Sequence, residues 1–176
     1  MKVDVLRKHA ATLVLVPLAL GAALVVLGGA CRDPTQITLV LSTDLPGHEA
    51  AGLDLYTTRE PSTTPAAALS PRWDDNGLIG TIALVPEKGT SGTAYARVIL
   101  GVTRPPSACA GTDVSGCIVA RRSVQYLEHT ALVVPINLYG KCIGVACDPE
   151  TTCNANGECV AANVTCDSSI ESCTIP

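Results

Sequence analysis

The residues of this chain whose type and spacing could do chemistry are its nine cysteines. Paired thiols form disulfides, whereas thiolates at short spacings hold zinc. Six of them lie between Cys142 and Cys173, where no pair is separated by two residues and no histidine is present to complete a tetrahedral metal site. The spacing therefore favours disulfides over zinc. Because nine is an odd number, Cys31, which lies far from the other eight, calls for a separate explanation.

The residues before Cys31 have the form of an export signal. Lys2, Arg7 and Lys8 give a positive start, and the stretch 10–30 that follows carries no charge. Such a leader directs everything after it across a membrane and keeps its own basic end inside. The exported part would then meet an oxidising compartment, in which disulfides persist.

The run Leu27-Gly28-Gly29-Ala30-Cys31 resembles the lipobox of bacterial lipoproteins. The resemblance implies that residues 1–30 are a signal peptide, that Cys31 becomes a lipid-modified N-terminus anchored in a membrane, and that residues 31–35 are a tether. Arg32, where an Asp often retains such proteins at the inner membrane, implies the outer membrane of a Gram-negative bacterium. The chain departs from the family pattern at Gly28, where an aliphatic residue is usual. An uncleaved transmembrane helix is the alternative, since the uncharged stretch is long enough to span a bilayer.

Composition limits the possible partners of the exported part and the size of its hydrophobic core. Removal of residues 1–30 takes away three basic residues and one acidic residue, which changes the net charge from −4 to −6. An acidic chain without a basic patch is a poor ligand for nucleic acid. The length supports one domain, but its core must be thin, because the whole chain has no Phe, one Trp and four Tyr. Disulfides are the expected supplement.

Apolar and polar residues alternate in several short segments after the tether, which is the pattern of half-buried strands. Turn residues separate these segments, and the proline-rich stretch 60–72 is predicted to be a loop. The pattern predicts an all-β fold, an antiparallel β-sandwich over residues 36–140 with an immunoglobulin-like form preferred. Within the predicted strand 118–127, Arg121 and Arg122 are interpreted as a polar interruption or a bulge. The predicted strands are 36–42, 53–57, 78–85, 95–103, 118–127 and 130–139.

Cys109 and Cys117 bracket a glycine-containing loop, so a disulfide between them would close a hairpin-like connection. Residues 141–176, which we call the cysteine-rich tail, contain the other six cysteines and almost no large apolar residue. The tail resembles small cysteine-rich modules, loosely those of the EGF type. Six cysteines allow fifteen connectivities. Within this resemblance, the favoured pairs are Cys142 with Cys153, Cys147 with Cys159, and Cys166 with Cys173.

Two acidic clusters are the remaining candidates for catalysis or metal binding. Asp74 and Asp75 could ligate calcium or act in glycoside hydrolysis, but one short cluster supplies too few oxygens, and the following Asn-Gly favours a hairpin turn. Glu128 and His129 could pair as an acid and a base, although a surface turn between two strands explains them better. The sequence therefore predicts no catalytic residue, no metal site and no cofactor.

Together these features predict an exported lipoprotein of the cell envelope. Its sandwich would be a non-enzymatic binding or structural module with a protein or glycan partner in the envelope. An alternative is an accessory subunit of a secretion or adhesion assembly, which contacts its partner through the cysteine-rich tail. A hydrolase is less favoured.

Overall fold

The computed structural model describes residues 34–47, 50–59, 62, 64–87, 92–167 and 172–174, and the chain in these ranges is built from β-strands. These described residues belong to one compact unit. Two short 3₁₀ turns, Pro106–Cys109 and Gly140–Cys142, interrupt the strands. The strands are β1 Gln36–Thr43, β2 Gly52–Tyr56, β3 Ala67–Leu69, β4 Leu78–Leu84, β5 Thr93–Gly101, β6 Cys117–Gln125, β7 Ala131–Leu138, β8 Thr151–Cys153, β9 Cys159–Ala161, β10 Asn163–Asp167 and β11 Ser172–Thr174.

Two sheets form the body of the fold. The small sheet has the order β4-β1-β7, and the large sheet has the order β11-β10-β6-β5-β2-β3, while β8 and β9 form a separate hairpin. The predicted all-β sandwich is confirmed. Most neighbours are antiparallel, but β1 pairs with β7 in parallel, as does β6 with β10. An immunoglobulin constant domain places its first, second, fourth and fifth strands in one sheet, whereas here the small sheet contains the first, fourth and seventh.

The core lies between the two sheets because the inward side chains of both are aliphatic. In β1, Ile37, Leu39 and Leu41 are at most 1% exposed. Their partners across β7 are Leu132, Val134 and Ile136. The period-2 pattern that predicted β1 thus gives the strand its buried face. The opposite face of the core comes from alternate residues of β2, β5 and β6.

A second, smaller cluster lies on the outer face of the large sheet. Tyr56, Ile99 and Val119 project outward from β2, β5 and β6, and Cys109 and Val114 of the 102–116 loop pack against them. The Cys109–Cys117 disulfide closes this loop. The loop therefore covers sheet residues that would otherwise be exposed apolar surface.

Two expectations about the strands were wrong. The stretch 60–72 is not wholly a loop, since β3 lies within it and pairs with β2. Of the two interpretations of Arg121 and Arg122, the bulge is wrong, because the register of β6 with β5 runs without a shift from Cys117 to Gln125, and the two arginines interrupt the apolar pattern of β6 without breaking its pairing. Continuous pairing sends the two arginine side chains to opposite faces of the sheet.

The cysteine-rich tail is built into the sandwich. After the β8–β9 hairpin, β10 adds to the edge of β6, where Asn163 and Val164 align with Ser123 and Val124. Val164 and Cys142 are buried in the main core. The tail therefore extends the large sheet and covers part of its core.

Candidate functional site at the junction of sandwich and tail

The eight cysteines between Cys109 and Cys173 form four disulfides. Every one of them lies within the described residues, and none is left as a free thiol. The tail has the same three pairs that the sequence favoured, and the loop cysteines also pair as expected. The disulfides are Cys109–Cys117, Cys142–Cys153, Cys147–Cys159 and Cys166–Cys173. The predicted lipidation site, Cys31, lies outside the described residues.

Asp74 of the first acidic cluster shapes a turn. Its Oδ1 atom accepts hydrogen bonds from the backbone N–H groups of Asn76 and Leu78, each at 3.0 Å. These bonds, that from Leu78 first, hold the pKa of Asp74 below its usual value. The turn leads into β4 at the point where Gly77 has a φ of 76°. Among the described residues, no group of three or more His, Cys, Asp or Glu side chains could hold a metal ion.

Glu128 and His129 occupy the turn between β6 and β7. Both residues are exposed, and His129 has a φ of 55°. The backbone N–H of His129 donates to Thr35 Oγ1 at 2.9 Å, which ties the turn to the residue before β1. The position of His129 is explained by the backbone geometry of this tight turn.

Arginines on the outer face of the large sheet hold the neighbouring loops. The Arg97 guanidinium lies 4.4 Å from the centroid of the Tyr56 ring, and it donates to the carbonyl oxygens of Ala110 and Ser62. Arg121 lies directly opposite Arg97 on β6. Burial lowers the pKa of Arg121, and the Arg97 charge lowers it further. Two like charges face each other here, which costs stability unless neighbouring carbonyls and rings offset it.

Two further contacts tie this face to the tail. Arg121 donates from its backbone N–H to Thr152 Oγ1 at 3.0 Å and from Nη1 to the Thr151 carbonyl at 3.4 Å. Arg59 forms an ion pair with Glu150 at 3.0 Å. These bonds join the sandwich to the tail, and the two from Arg121 are the better protected, because the ion pair lies between two exposed side chains.

Arg122 is different, because it points inward. It alternates along β6 with the core residues Ile118, Ala120 and Val124, and it is only 6% exposed. Its Nη1 atom donates to the carbonyl oxygen of Arg121 at 2.8 Å, whereas its buried Nε atom finds no hydrogen-bond partner in the part of the chain that the structure describes. Burial lowers the pKa of Arg122, and nearby Tyr139 opposes that shift. The result is a cation inside the protein with few bonds to protein.

A cleft of about 240 Å³ opens beside Arg122, between the end of β7 and the tail. The lining side chains are neutral apart from the arginine, and most of them carry amide or hydroxyl groups. We call it the Arg122 cleft. It is lined by Arg122, Asn137, Tyr139, Thr152, Cys153, Asn154, Ala155, Asn156 and Val160.

The sequence interpretation missed this cleft, although one signal for it was present. Arg122 occupies an inward position in a strand whose other inward residues are apolar, and a charged residue at such a position is seldom buried without a partner. The walls of the cleft could not have been predicted, since Asn154 and Asn156 come from the tail, whose docking on the sandwich depends on non-local pairing.

No helix among the described residues is both long and apolar enough to cross a membrane. Comparisons of the chain with protein families, with curated proteins and with solved structures found no match.

Proposed function

We propose that this chain is an exported protein of the cell envelope, anchored in the outer membrane of a Gram-negative bacterium through lipid on Cys31. Its sandwich would serve as a non-enzymatic binding module. One observation carries the proposal: the eight other cysteines pair among themselves, which leaves Cys31 as the odd one. A chain with four disulfides belongs in an oxidising compartment. The lipobox-like run ends on the one cysteine that the disulfides do not use.

The roles of the acidic clusters support a binding module over a hydrolase. The Asp74 carboxylate is engaged in the turn before β4. His129 is held in a turn by its own backbone bond to Thr35. The Asp74 carboxylate thus has a local structural role, and the turn explains the backbone position of His129.

The experiment is the intact mass of the full chain, extracted from membranes in detergent and alkylated without reduction. We expect the mass of residues 31–176 plus acyl groups, with no alkylated thiol. A Cys31→Ser variant is the control, since it should lose the acyl mass and keep four disulfides. Retention of residues 1–30, or alkylation of several cysteines in the wild type, would refute the anchored, oxidised protein that we propose.

A second candidate is an accessory subunit that contacts its partner through the tail. It is favoured by β11, which forms an outer edge of the large sheet. A strand at a sheet edge can accept a strand from another protein. Replacement of Cys166 and Cys173 by Ser, which opens the β10–β11 hairpin, should abolish co-purification of a partner while Trp73 fluorescence still reports a folded sandwich. Unchanged co-purification would count against this role for β11.

A further inference from the structure

Among the described residues, no carboxylate forms an ion pair with Arg122. Taking a guanidinium out of water is costly, and buried cations are normally paired with a carboxylate or bound to several acceptors. Arg122 is only 6% exposed, yet its hydrogen bond to protein goes to the carbonyl oxygen of Arg121, the residue before it in the chain. Its Nε–H is buried, and none of the described residues provides an acceptor for it. The fold thus maintains an unneutralised cation, and a neutral residue at this position would avoid that cost.

The surroundings of Arg122 are suited to a polar ligand. Thr152 and Asn154 line the cleft on the tail side, and Asn137 and Tyr139 line it on the side of β7. Thr152 Oγ1 and Asn137 Oδ1 already accept hydrogen bonds from the Arg121 backbone N–H and from Ser42 Oγ, so these two side chains would serve a ligand as donors. The Asn154 side chain is engaged within its own hairpin, since Oδ1 accepts from the backbone N–H groups of Asn156 and Glu158 and Nδ2 donates to Glu158 Oε2 at 3.3 Å. Arg122 is the one charged side chain among the described residues that line the cleft. A ligand would therefore meet a single positive charge among neutral polar groups.

We propose that the Arg122 cleft binds a carboxylate-bearing ligand. The planar guanidinium matches the geometry of a carboxylate. One cation neutralises one negative charge, whereas a phosphate dianion would keep an unpaired charge in the cleft. The volume of about 240 Å³ is below that of sites for drug-sized molecules, roughly 300–1,000 Å³. The cleft therefore suits one sugar acid or the C-terminal end of a peptide. This inference identifies a ligand class for the proposed binding module, but it does not depend on how the chain is anchored.

The test is a titration of the full chain in detergent micelles, with the ¹H–¹⁵N resonance of Arg122 Nε as the probe. Acetate should shift this resonance in a saturable way, with a Kd on the order of 10 mM, and neutral acetamide should not. D-glucuronate then represents a sugar acid, and N-acetylalanine represents the C-terminal end of a peptide. The probe of the class that the cleft prefers should bind more tightly than acetate. Inorganic phosphate should bind more weakly than acetate.

Two pairs of variants locate the binding. Arg122→Gln should weaken acetate binding at least tenfold, as followed through the backbone amides of Asn154 and Asn156. The control is Arg104→Gln, at a half-buried arginine that does not line the cleft and is paired with Asp113 at 2.8 Å, which should leave acetate binding unchanged. In case Arg122→Gln does not fold, Ala155→Trp fills the cleft from an exposed position and should also block acetate. Ala161→Trp, at an exposed position of the same tail outside the cleft, is its control.

Three results would overturn the inference. The wild type could show no saturable shift with any of the three carboxylates. Acetamide could shift the Arg122 resonance as much as acetate does. Finally, binding could survive Ala155→Trp unchanged, which would place the carboxylate elsewhere on the protein. None of these results would bear on acylation of Cys31, so failure here is distinguishable from failure of the proposed anchor.

Discussion

Two disulfides of the tail close loops of nearly equal length in different surroundings. Cys142–Cys153 spans 11 positions and Cys147–Cys159 spans 12. Cys142 and Cys153 are 1% and 5% exposed and belong to the main core. Cys147 is half-buried and Cys159 is exposed. A comparison of variants that lack one disulfide or the other therefore separates two contributions to stability, the constraint on the unfolded chain and the packing of the core.

The two effects have different magnitudes. Each disulfide constrains a loop of about a dozen residues in the unfolded chain, which contributes about 3 kcal/mol, and the difference in loop length alters this by only about 0.1 kcal/mol. Replacement of both buried cysteines by Ala also leaves two voids of the size of one heavy atom, at about 0.5–1.5 kcal/mol each. We expect the Cys142→Ala, Cys153→Ala pair to lower the free energy of unfolding by about 4 to 6 kcal/mol. The Cys147→Ala, Cys159→Ala pair should lower it by about 3 kcal/mol.

The assay is urea unfolding of the full chain in detergent without reductant, followed by Trp73 fluorescence. Trp73 is 6% exposed and its Nε1–H donates to the Leu45 carbonyl at 3.2 Å, so its emission should change when the sandwich opens. Equal losses in the two double variants would refute the reasoning, since they would mean that Cys142 and Cys153 stabilise only by constraining the chain. A larger loss for the exposed pair would refute it as well.

Two further predictions concern turns. Gly77→Ala should lower the free energy of unfolding by about 2 to 5 kcal/mol, because the φ of Gly77 is positive and the new Cβ would overlap the Thr43 carbonyl oxygen. The control is Gly47→Ala, also at positive φ but with open space around it, which should lower the free energy of unfolding by about 1 to 2 kcal/mol. Equal urea midpoints for the two variants would contradict this prediction. The pKa of Asp113 is held far below its usual value by hydrogen bonds, that from the Ser115 side chain first. Because the pKa of Asp113 is lower in the folded chain than in the unfolded chain, the ionised carboxylate stabilises the fold above about pH 4, and this stabilisation is lost as the pH falls. Urea midpoints between about pH 5 and pH 2 should therefore fall less steeply for Asp113→Asn than for the wild type, and parallel curves would contradict that.

Local patterns were enough to predict the strands that have one buried face. In β1 and β5, alternation separates the core residues from the outer ones, and a slip by one residue would reverse the two faces. The loop disulfide was predictable because Cys109 and Cys117 flank a short connection between neighbouring strands. Pro135 lies in β7 at an edge of the small sheet, where a residue without a backbone N–H is tolerated.

Non-local pairing explains what the sequence did not show. β3 has three residues in a proline-rich stretch, and it is a strand because Ala67 and Leu69 pair with β2. β10 joins β6 in parallel through a short register, which no local signal encodes. The Arg122 cleft depends on that same docking, because the tail supplies Asn154 and Asn156. The sequence of a single strand shows that a charged residue occupies an inward position, but it does not show which groups surround that residue in the fold.

The docking of the tail also changes how a role for it should be tested. Deletion of residues 141–176 would remove the buried residues Cys142 and Val164 and expose the edge of β6, so loss of a partner could follow from damage to the sandwich. Charge substitutions at exposed positions of β10 avoid this problem. Asn163→Lys and Thr165→Lys change the tail surface on both sides of Val164, and Val164 itself remains to fill the core. If the tail contacts a partner, the double variant should lose it while the urea midpoint stays near that of the wild type. If the partner is retained, its contact lies away from these positions on β10.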